Sequence, residues 1–290
     1  MVIGETSRAA NWSIYGYNRN TNPELTKIKG LTAFSHVLTE SNTTHKSVPM
    51  LMSSVTAHDF NSIYRQKGII TAFKEAGYRT AFFSNQRYNH SFIDFFGKEA
   101  DICDFIKEDA GDGSYNPSDD ELLKLVAAEL AENASKQFIV LHTYGSHFNY
   151  RERYPADHAF FLPDFPVDAE LKYKDNLINA YDNSIRYTDN FLARLIRMLQ
   201  EQDIDAAMLY TSDHGEDIFD DDRHLFLHAS PVPSYYQIHV PFLIWMSDNY
   251  RKNYPDLFKN AEINRQKNIS SSASFFQTML ELGGRSEERR

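Results

Sequence analysis

Hydrophobic positions along this chain follow two alternating periods. Thr80–Phe83, Gln137–Leu141 and Ala206–Tyr210 are short apolar runs that read as buried strands. Ile238–Met246 is a fourth, with Pro241 arguing that it starts late or lies near a sheet edge. Between these runs the spacing turns helical. Phe60, Ile63, Ile69, Ile70 and Phe73 predict a helix across Asp59–Ala76, with Gly77 at its C-terminal stop. Pro117-Ser118-Asp119-Asp120-Glu121 supplies an N-cap and early acids ahead of Leu122, Leu123, Leu125, Val126 and Leu130. The longest helical pattern runs from Ala169 to Gln202, and a last one, Ser271–Leu282, is halted by Gly283-Gly284.

Strands separated by helices imply an α/β fold whose sheet is mostly parallel and covered by helices on both faces. Such sheets bind ligands beyond the carboxyl ends of their strands. Glu5, Asn85, His142 and Asp213 each follow a predicted strand directly, so one rule gathers all four on the same edge. The segment from Tyr150 to Asp168, with three prolines and several aromatics, reads as an ordered excursion over the surface and a rim of the site.

At 290 residues, 42% apolar and 24% charged, the chain has the makeup of one large globular domain. A net charge of -10 argues against nucleic-acid binding, which needs Lys and Arg to displace counterions. No run approaches a membrane span and no signal peptide is recognisable. Met1-Val2-Ile3 reaches the Gly4-Glu5 turn at once, short of the roughly five or six residues of an ordinary strand, so the chain reads as cut from a longer protein. Its one cysteine, Cys103, excludes an internal disulfide and a multi-cysteine zinc cage.

Any metal must then be held by oxygen and imidazole. Tyr210-Thr211-Ser212-Asp213-His214-Gly215-Glu216 places a carboxylate and an imidazole after a strand, and Glu5 supplies a second carboxylate. That donor set suits Zn²⁺, with Mn²⁺ as competitor. A hydroxyl nucleophile is weak at neutral pH unless a metal activates it, and Asn42-Thr43-Thr44-His45-Lys46-Ser47-Val48-Pro49 offers Thr44, with Thr43 and Ser41 as alternatives. Ser47 and Pro49 resemble the opening of a helix through Met52, whose N-terminus would favour a phosphoryl group. His147 and His228 are candidates for phosphate contact, a second metal or proton transfer, and His142 for substrate contact. His224 and the acidic run of Glu216, Asp217 and Asp220–Asp222 read as solvated.

Five ordered segments resemble the catalytic domain of bacterial phosphoethanolamine transferases, within the alkaline phosphatase and sulfatase superfamily. They are Val2–Pro23, Thr43–Pro49, Leu141–His147, Asn179–Asp189 and Ser212–Glu216, and the likeness covers nearly the whole chain. The resemblance implies an alkaline-phosphatase-like sandwich over residues 1–290. It implies zinc held by Glu5, Thr44, Asp213 and His214, with Thr44, rather than Thr43, as nucleophile and His147 and His228 as catalytic or phosphate-binding residues. Asn85, Gln86, His90 and His142 fall where substrate contacts are expected.

The implied donor is phosphatidylethanolamine, and the acceptor is lipid A or another envelope glycan, a modification linked to polymyxin resistance. Family members hold the domain at the periplasmic face of the inner membrane through an N-terminal membrane anchor; the domain itself is expected to be monomeric. Two departures stand out: relatives carry several disulfides, and lipid A enzymes have a lysine where Arg87 and His90 lie here. A phosphoglycerol transferase, a phosphodiesterase or sulfatase-like hydrolase, and a silent envelope-binding module are the rival readings.

Overall fold

The computed structural model describes residues 1–107, 116–165 and 168–284. Its core is a seven-stranded sheet in the order Leu31–Ala33, Phe242–Met246, Ala207–Ser212, Val2–Gly4, Gln137–His142, Arg79–Ser84 and Ile102–Phe105. The last five strands run parallel. Phe242–Met246 runs against Ala207–Ser212 and lies one strand in from the edge, beyond Pro241. The mostly parallel sheet, covered by helices on both faces, is the α/β architecture expected from the sequence.

The period-two pattern works on both faces at once. Ile3, Phe82, Val140, Leu209 and Ile244 point into one core, with the helices Thr44–Leu51, Ile69–Glu75 and Ser271–Leu282. Val2, Phe83, Leu141, Tyr210 and Leu243 point into a second core, under Asp120–Ala131 and the 27-residue helix Lys174–Gln200. The strands carry apolar residues on both sides because both faces of the sheet are covered.

Two expectations need correction. The pattern across Asp59–Ala76 is broken into a 3-10 stretch, Ala57–Arg65, and the helix Ile69–Glu75. The Glu99 carboxylate explains the break, because it accepts from Gly68 N at 2.8 Å and Thr71 N at 3.1 Å and so caps a helix that starts there. The helix expected to open at Ser47 and Pro49 begins instead at Thr44, after Thr43, and carries Pro49 inside it. Lys46 N and Ser47 N both close on the Thr43 carbonyl, which sets the first turn. Of the 150–168 excursion, residues 166 and 167 lie outside the described residues, and Phe160, Leu162 and Phe165 are exposed.

Candidate metal centre

Parallel pairing fixes the start of the site. Val2–Gly4 lies between His142 and Ser212 in register, so Glu5 and Asp213 leave adjacent strands at the same height. Thr6 then turns at φ +59°, a costly conformation for a β-branched residue. That turn lets Thr6 N donate to Asp213 Oδ1 at 3.0 Å and Thr6 Oγ1 to Glu5 Oε1 at 2.7 Å. Glu5, Asp213 and His214 are fully buried, and one ligand atom from each lies within 4.8 Å of the others.

Each ligand atom is aimed by a second contact. Asp213 Oδ1 accepts from Thr6 N and His214 N, which leaves Oδ2 buried without a partner, 3.3 Å from His214 Nε2. His214 Nδ1 faces the Gly215 carbonyl at 2.9 Å, so it carries the proton and Nε2 presents a lone pair. Burial lowers the His214 imidazole to about 4, against the pull of Glu5 the other way, so the ring is neutral at pH 7. Burial first, and the charge of Glu5 second, hold the Asp213 carboxyl well above the usual range. A divalent cation would remove that repulsion, and an orphaned carboxylate oxygen beside an imidazole lone pair is a fitting donor set for zinc.

Thr44 is brought to this trio by the first turn of its helix. Its Oγ1 lies 3.1 Å from Glu5 Oε1 and 3.1 Å from His214 Nε2, and the residue is half-buried, with an open side. Two neighbouring hydroxyls lock that helix to the centre. Thr39 Oγ1 and Ser47 Oγ both donate to the Asp213 carbonyl, at 2.8 and 2.5 Å.

The other candidates separate into two groups. His228 stands over His214 with ring centroids 4.1 Å apart, and His147 lies 6.5 Å from His228 and stacks on Tyr144. Gln86 gives its amide to Glu5 Oε2 at 2.8 Å, so it orients a ligand rather than standing free for substrate. His142 is buried behind it, with Nδ1 on Ser84 and Nε2 on Gln86. Asn85 is also buried, its amide spent on Asp119 and the Pro117 carbonyl. His90 is exposed against Tyr88, and no described contact joins it to the trio.

Glu216 is the residue that sequence reasoning missed. Read there as solvated, it is fully buried, as is Asp217, while Asp220 pairs with buried Arg8 and only Asp221 and Asp222 remain exposed. Its carboxylate stands 3.5 Å from His228 Nδ1, and burial lifts it to about 7, with His228 and Tyr150 opposing. Glu216 in turn raises the His228 imidazole although burial works against that. The two groups thus face each other across 3.5 Å beside the trio. The signal was its position two residues after His214, still within the turn that leaves the strand.

Comparison with known proteins bears on this geometry. The Sulfatase family model matches residues 1–285. A Kdo(2)-lipid A phosphoethanolamine 7''-transferase of Escherichia coli K12 is 32% identical over 281 residues, covering 92% of this chain and 47% of that protein. Among solved structures, the C-terminal periplasmic domain of EptC from Escherichia coli, in complex with Zn, superposes with a TM-score of 0.88 at 25% identity, covering 98% of this chain and 81% of that one. The soluble domain of lipooligosaccharide phosphoethanolamine transferase A from Neisseria meningitidis gives 0.85 at 27% identity, covering 97% and 85%. The chain spans about half the length of the curated relatives it matches.

Proposed function

This chain belongs to the Sulfatase family, and on that footing we propose that it is the catalytic domain of a zinc-dependent phosphoethanolamine transferase. The donor is phosphatidylethanolamine, the acceptor is lipid A or another envelope glycan, and the place of action is the periplasmic face of the inner membrane. Relatives named as transferases and a neighbour solved with Zn support the class. The observation that carries the mechanism is the Thr44 hydroxyl set 3.1 Å from both Glu5 and His214.

Glu5, Asp213, His214 and Thr44 would hold the ion, which when bound supplies positive charge for the phosphoryl oxygens and makes the threonine hydroxyl more acidic. Thr44 Oγ1, its proton released to solvent before the attack, forms the bond to phosphorus while the bond from phosphorus to the glycerol oxygen breaks. His228, which Glu216 faces at 3.5 Å, passes a proton to the departing oxygen. In the second half an acceptor oxygen displaces Thr44 and returns its proton to the same imidazole. The N-terminal turn of the Thr44 helix adds backbone N–H dipoles directed at the anion.

Intact-mass measurement after incubation with phosphatidylethanolamine in detergent micelles tests this reading. Wild type should carry a phosphoethanolamine adduct and Thr44→Ala none. An equal adduct on Thr44→Ala would overturn the assignment, and an adduct formed only from phosphatidylglycerol would reassign the donor.

A further inference from the structure

A second cluster beside the centre is built for an anion. Tyr144 leads the loop that follows the strand Gln137–His142, and its ring gathers positive charge. Lys107 Nζ stands 2.9 Å from the ring centroid and the Arg153 guanidinium carbon 4.1 Å, while the His147 ring stacks on it at 4.9 Å and 18°. Lys107 is only 7% exposed, and among the described residues no carboxylate lies within ion-pair distance of its amine. Arg153 pairs with exposed Glu152 at 3.1 Å and donates its Nε to the Asn149 carbonyl at 3.3 Å. Asp119, a half-buried acid whose charge reaches Lys107, is committed to Tyr144 N, Gly145 N and Asn85.

This is an unusual concentration in a chain of net charge -10. A ring face compensates only part of the hydration that a buried ammonium gives up. Burial, and then the charge of Arg153, bring the Lys107 amine down to about 7. An arriving anion would relieve both effects, and a phosphate monoester matches an ammonium next to a guanidinium fork.

We propose that Lys107, Arg153 and Tyr144 form a phosphate subsite separate from the metal trio, which seats a phosphate group already present on the acceptor. Tyr144 is linked to His214 through the imidazoles of His147 and His228, in successive ring contacts of 4.9, 6.5 and 4.1 Å, but no described contact joins Lys107 or Arg153 to Glu5, Asp213 or His214. On this proposal a phosphate at Lys107 is a different group from the one Thr44 reaches. Naming its bearer the acceptor rests on the transfer reading above; the anion site itself does not.

Calorimetric titration with glucosamine 1-phosphate, glucosamine and O-phosphoethanolamine, on zinc-loaded and chelator-treated protein, tests the proposal. Glucosamine 1-phosphate should bind in both states, and glucosamine in neither. Lys107→Met should weaken glucosamine 1-phosphate at least tenfold, whereas Lys107→Arg, with an unchanged melting temperature, should keep at least a third of the affinity. O-phosphoethanolamine should lose its binding on chelation. Equal affinity of wild type and Lys107→Met, or sugar phosphate binding that requires zinc, overturns the subsite. Lys107 dependence of O-phosphoethanolamine alone would assign the site to the donor and also overturn it. Failure of the Thr44 adduct would remove the transfer reading without touching these titrations.

Discussion

Gly145→Ala probes whether the metal trio depends on how tightly the neighbouring loop presses on Glu5. Gly145 sits at φ +49°, and a Cβ there would stand 2.7 Å from the Glu5 carbonyl oxygen and 2.9 Å from its nitrogen. The first distance is about 0.7 Å inside the 3.4 Å at which ordinary contact begins, and the obstacle is backbone that cannot swing away. Holding alanine in a left-handed conformation costs about 1–2 kcal/mol, which lowers the melting temperature of the metal-free protein by about 2–8 °C. Relief of the contact must move Glu5 or the loop by more than the roughly 0.2 Å that metal–ligand distances tolerate. Zinc affinity should then fall about 10–100-fold. Competition with a chromogenic chelator measures the affinity, and a thermal melt in chelator measures the fold. Wild-type zinc affinity combined with the expected drop in melting temperature would refute the link between this glycine and the ligand.

Arg8→Met should destabilise the protein by about 3–5 kcal/mol, because Asp220 and the Glu216 carbonyl lose a buried partner. Chemical denaturation measures it, and Arg8→Met with Asp220→Asn should recover part of the loss; no recovery would show that the ion pair is not the cause. Burial also lowers the His142 imidazole to about 4, below the roughly 6.5 of an unfolded chain. The unfolded state therefore binds more protons between those values, and stability from this group is lost as pH falls from about 6.5 toward 4, by up to about 3 kcal/mol. Urea unfolding of chelated protein across that range should show a shallower acid loss for His142→Gln than for wild type, and parallel curves would exclude the histidine.

The layout of the site was legible wherever it follows from strand ends. Glu5 and Asp213 were placed together because an apolar run, a turn and a parallel neighbour leave the chain little choice of direction. Ser271–Leu282, with its glycine stop, was equally clear. What stayed hidden depends on contacts distant in sequence. The break at Gly68 needs Glu99, thirty-one residues away in the chain. Arg8 donates to the Glu216 carbonyl and to Asp220, and a row of acids looks solvated until a buried arginine is known to lie beside it. Asn85 and Gln86 sat at the expected edge, but which way their amides turn is decided by Asp119 and Glu5.

The Thr44 hydroxyl, the proposed nucleophile, rides on the helix Thr44–Leu51, whereas the two carboxylates and the imidazole are rooted in the ends of neighbouring strands. Attacking atom and cage therefore belong to different pieces of architecture. On the proposed reading, changes within one turn of helix can alter what attacks, or how fast, while the sheet keeps the same three donors. A frame divided in this way can exchange its chemistry without first giving up its fold.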